Sequence, residues 1–133
     1  METQTKQGQG LKQQVLDFSE EADEWGGNLT YLLDEARFFK RFIEGHLSGI
    51  DTEITEKTVQ FQKVLSELEV QLHQVRDEVA LHREMLEALL KNLSAAELNA
   101  TTERHDVLRS RFYEIDKQVR EFKKQFYDVT EDI

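Results

Sequence analysis

Apolar side chains recur at alternating spacings of four and three residues along almost the whole chain, and no other feature narrows the possible folds as much. Three stripes emerge. The first runs Leu11, Val15, Phe18, Ala22, Trp25, Leu29, Leu32, Ala36, Phe39 and Ile43, and ends on His46. The second runs Ile54, Thr58, Phe61, Leu65, Leu68, Leu72, Val75, Val79, His82, Leu86, Leu89 and Leu93. The third opens on Leu98, Thr101 and His105, then continues through Leu108, Phe112, Ile115, Val119, Phe122, Phe126 and Val129. A strand sends successive side chains to opposite faces, so its period of two cannot generate this pattern.

The stripes predict an all-α fold, an elongated antiparallel bundle of three long helices in up-down-up order with coiled-coil-like packing. Proline is absent and there are only six glycines, too little punctuation for a fold of many short strands. At about 1.5 Å per residue the second helix would be roughly 60 Å long, which makes a rod. Asp17 or Ser19 can open the first helix, and Gly45, Ser48 and Gly49 close it. Asp51 or Thr52 can cap the second, and Ser94 with Glu97 forms a capping-box pattern for the third, with Thr101 or Thr102 as other legal starts. Gly26 and Gly27 fall inside the first stripe, where each costs about 1 kcal/mol relative to alanine. Burial of Trp25 favours a continuous helix; the other form is a break that makes residues 11–24 a separate short one. Residues 1–10 are polar and glutamine-rich and read as a disordered tail, leaving 11–133 as a single helical-bundle domain.

Charge and composition then exclude several function classes. A formal charge of −10 repels phosphate backbones and anionic lipid, so neither nucleic acid nor membrane is expected as a partner. The opening residues lack the apolar core of a secretory signal, which leads to the expectation of a cytoplasmic protein. Without cysteine there is no thiolate nucleophile, thiolate metal site or disulfide. Phosphate-cradling glycine loops, nucleophile elbows and HExxH are also missing from the sequence, and the reading is of a protein that is not an enzyme and needs no cofactor.

Three histidines, His46, His82 and His105, occupy stripe positions and are candidates for chemistry. His82 and His105 lie at nearly the same axial level on either side of the turn around 93–98, and Glu21 of the first helix reaches a similar level. Two imidazoles and a carboxylate form a conceivable divalent-metal set, although histidines at the edge of a core that are satisfied by carboxylates explain the same pattern. The apolar face is also wider than a bare seam, since Leu33, Phe38 and Phe42 flank the first stripe, and Tyr113 and Tyr127 the third. Such a face is either a filled monomer core or a surplus awaiting a partner, and it admits a homodimer. The leading expectation is therefore a protein-protein interaction or scaffolding module with Trp25, Tyr31, Phe38 and Phe42 as anchors. The alternative is a metal-binding bundle using His82, His105 and Glu21.

Trp25 early in the first long helix, the run on to Phe39, and the sequence Val59, Gln60, Phe61, Gln62 entering the second resemble an uncharacterised group of short acidic all-helical bacterial proteins. That resemblance spans most of the chain and implies a helical fold and no particular activity. The architecture is also similar to a spectrin-type three-helix repeat, from which this chain departs by lacking a tryptophan in the third helix and a second repeat.

Overall fold

The computed structural model describes residues 2–47 and 52–131, with side chains for 9–45 and 56–131. Three helices follow one another: α1 (Glu2–Phe42), α2 (Thr52–Lys91) and α3 (Ala95–Thr130), with a π-helical turn, Ile43–Leu47, continuing the end of α1. No strand occurs among the described residues, and the three helices pack on one another as an all-α bundle.

Every described stripe position falls inside the bundle. Val15, Leu29, Ile43, Leu72 and Leu86 are wholly buried, while Leu11, Phe18, Leu93 and Val129 sit at the margin of the core. The side chains of His46 and Ile54, like Ser48, Gly49 and Asp51, lie outside the described residues. Ser94 caps α3 from an extended backbone, its hydroxyl accepting from the Glu97 amide at 3.4 Å. Thr101 and Thr102 consequently lie within α3 instead of opening it.

Two differences from the sequence reading concern α1. It begins at Glu2, so the stretch expected to be a disordered tail belongs to the helix, and Asp17 and Ser19 lie well inside it. Glutamine, lysine and glutamate are good helix formers, and they outnumber Gly8 and Gly10 in this stretch. The second difference is between the two forms left open at Gly26 and Gly27, where the helix runs through unbroken. Neither glycine is needed to admit a neighbour: a Cβ on Gly26 would rest 3.5 Å from an Arg83 nitrogen, an ordinary contact, and one on Gly27 would meet nothing. Replacing both with alanine is therefore expected to stabilise the protein by ~1–2 kcal/mol, read by chemical denaturation. A drop in stability would mean that the glycine backbone is required.

Ring contacts fix the helix register. Phe18 stacks on His105, Trp25 on Phe112, and Phe39 meets Phe126 edge-on, three pairs at one constant sequence offset. Thus α1 and α3 run parallel and in step, heptad against heptad. α2 runs the other way, tied to α1 by Arg83–Asp23 at 2.6 Å and Arg37–Glu69 at 3.8 Å. The end of the bundle nearest the π turn is aromatic, with Phe39 and Phe61 each meeting both Phe122 and Phe126 edge-to-face. Such pairs contribute ~0.5–1.5 kcal/mol each beyond burial.

Candidate functional site

Towards the other end, the core changes from rings and aliphatics to a hydrogen-bonded chain crossing all three helices. His82 on α2 and His105 on α3 are both fully buried, with His82 Nε2 2.8 Å from His105 Nδ1. The far nitrogen of His105, Nε2, lies 2.5 Å from Glu21 Oε1 on α1. Arg109, one turn beyond His105, donates to both Glu21 oxygens, at 2.5 and 3.2 Å, and its other terminal nitrogen reaches Asp106 at 3.0 Å. The imidazole of His105 is held between Phe18 and Trp25, at ring-centre distances of 4.1 and 4.6 Å.

This arrangement assigns the protons. Arg109 donates to the Glu21 carboxylate and, as the largest influence, holds its pKa below the usual range, so Glu21 is an ionised acceptor. His105 must then donate from Nε2 and accept at Nδ1, which makes Nε2 of His82 the donor of the bond between the two rings. Burial pushes His105 down, against the opposing pull of Glu21. His82 is lowered to about 4 by burial first, then by His105 and Arg104. Both rings are accordingly neutral near pH 7. The remaining nitrogen of His82, Nδ1, is a buried acceptor without a partner.

His82, His105 and Glu21 do converge as their axial levels suggested, but their facing atoms bind one another. Among the described residues no group of three or more histidine, aspartate or glutamate side chains is arranged to hold a metal ion. Sequence reasoning missed Arg109 as the group that ionises the chain, although a spacing of four from His105 places both on one helix face.

The expected interaction anchors divide. Trp25, expected as an anchor, is only 2% exposed and stacks on His105 and Phe112, so it is a core residue that lines from beneath the groove between α1 and α3. Its position on the stripe is the physical reason. Phe42 is half-buried against the core and packs on Phe126. Tyr31 and Phe38 are open to solvent, at 63% and 61% exposure.

Tyr31 borders a groove of about 400 Å³ between α1 and α3, with Trp25, Leu32, Phe112 and Val119 beneath and Tyr113 on the opposite edge. Lys123 bridges the groove to Glu35 at 2.7 Å, and this bond is the main reason its pKa is raised. Arg120 pairs along α3 with Asp116 at 2.5 Å. Phe38, one heptad beyond Tyr31, and Tyr127, two beyond Tyr113, carry the same helix edges further, and both are exposed. Glu21 and Glu35 are only partly exposed because each reaches across to a cation of α3.

Comparison with protein-family models, curated proteins and solved structures found no match to this chain.

Proposed function

We propose that this protein is a non-enzymatic interaction module that receives a helix of another protein on the aromatic face between α1 and α3. One observation carries the reading: Tyr31, Phe38, Tyr113 and Tyr127 are each more than half exposed; Tyr31 and Tyr113 border the groove, and Phe38 and Tyr127 lie at whole-heptad spacings beyond them on the same two helices. Scattered exposed apolar residues need no explanation, but aromatics aligned on facing edges supply the rigid contact area from which interface hot spots are built. Trp25 takes part from beneath, holding the groove floor in shape. No described helix is long and apolar enough to cross a membrane, and the negative charge disfavours anionic surfaces. A cytoplasmic setting agrees with both.

A photo-reactive residue placed at Phe38 is expected to cross-link a partner, whereas the same probe at Val70, an exposed residue of α2, should not. Tyr31→Ser with Tyr113→Ser should abolish the cross-link while changing stability by no more than about 0.5 kcal/mol, as for ordinary surface substitutions. Equal yields at both probe positions would sink the proposal. The metal-binding alternative would require the two rings to exchange their mutual bond for metal coordination. Stoichiometric metal in the purified protein, lost on His82→Ala and His105→Ala, would favour it.

A further inference from the structure

We infer that the cavity beside His82, between α2 and α3, binds a small neutral molecule made of one apolar ring and a hydroxyl, a phenol in chemical class. The site is separate from the aromatic face of α1 and α3 and does not depend on it. It measures about 170 Å³ and is lined by Glu78, Leu81, His82, Arg104, Val107 and Leu108. Leu108 is buried, while Leu81 and Val107 are open to solvent. The Glu78 carboxylate is already engaged by Arg111.

Two buried polar atoms of the lining residues have no partner, His82 Nδ1 and Arg104 Nη1. Buried polar atoms are nearly always hydrogen-bonded, because losing water without replacement is unfavourable. The two are opposite in kind. His82 gives its Nε2 proton to His105, so Nδ1 can only accept. Arg104 can only donate, and it lies near enough for its charge to help lower the pKa of His82. An occupant that satisfies both atoms supplies a proton to one and a lone pair to the other. A carboxylate has no proton to give, and an ammonium meets the like charge of Arg104. A hydroxyl does both from a single oxygen. Water does so too, but it leaves Leu81, Val107 and Leu108 without apolar contact, whereas a ring covers them. The volume agrees, since an apolar cavity of roughly 150 Å³ takes up benzene.

Phenol, toluene and benzoate, titrated separately into nitrogen-labelled protein and followed by NMR, test the inference. Phenol is expected to shift the His82 Nδ1 resonance and to bind at least ~10-fold more tightly than toluene or benzoate, the scale of a hydrogen bond to a charged group. Arg104→Met keeps the apolar stem and removes the donor. It should weaken phenol by ~10-fold and leave toluene unchanged, and retained toluene binding shows that the cavity has survived the substitution. Equal affinities for phenol and toluene would make the cavity a plain apolar recess and overturn the hydroxyl. Tightest binding by benzoate would make it an anion site and overturn the neutral ligand. Phenol that binds without moving His82, or as tightly to the Arg104→Met protein, would place the ligand elsewhere. Failure of all three to bind would leave water as the partner of both atoms and overturn the site itself.

Discussion

Trp25→Ala should lower the unfolding free energy by about 3–5 kcal/mol, the range for deleting a large buried aromatic. The side chain is 2% exposed and contacts two rings of α3, so its removal opens a cavity where α1 and α3 meet. His105 would lose one of the two surfaces between which it is held, and the geometry of its bond to Glu21 would loosen with it. Chemical denaturation followed by circular dichroism reads the effect without relying on the deleted fluorophore. Tyr31→Ser serves as the contrast, since a 63%-exposed ring at the groove's edge should be nearly neutral for stability. Equal and small changes in the two variants would remove Trp25 from the core.

Mild acid should act almost as strongly. An unfolded His82 takes up a proton near its ordinary value of 6.5, whereas burial in the native bundle lowers that to about 4. The unfolded state therefore binds more protons through this interval, and stability falls as pH falls. Integrating over that one group gives a loss of about 2 kcal/mol between about pH 8 and about pH 5. His105, lowered chiefly by burial, adds to the loss in the same direction. Glu21, lowered chiefly by Arg109, contributes stability above the ordinary carboxylate range that is lost below it, so its share appears at still lower pH. Denaturant midpoints across this interval measure the slope. His82→Leu should flatten it, and an unchanged slope in that variant would show that some other group governs the acid response.

Much of this was legible in the residues because helix geometry is so regular. A constant rise and a short connection place His82 and His105 at one level, and the same arithmetic brings in Glu21 from α1. Burial of Leu72, Phe112 and Val119 likewise follows from their stripe positions. Rotation about each helix axis was less legible, because a shift of a few tens of degrees decides whether a flanking residue is covered. Leu33 and Phe38 both flank the first stripe, yet Leu33 is buried and Phe38 open. Glu35 was equally hidden, for its direction depends on finding Lys123 across the groove, and no local pattern in either helix encodes that pairing. Trp25, by contrast, is legible from the pattern alone. Its register marks it as interior, and the structure buries it, so it can meet a partner only from beneath the groove.

The lockstep of α1 with α3 also limits how such a molecule can change length. Inserting one residue into α1 between Phe18 and Phe39 would rotate everything after it by about 100° and separate Phe39 from Phe126 while leaving Phe18 on His105. Growth that keeps every ring opposite its mate must proceed by whole heptads and in all three rods at once, as a ladder lengthens only when both rails and a rung are added together.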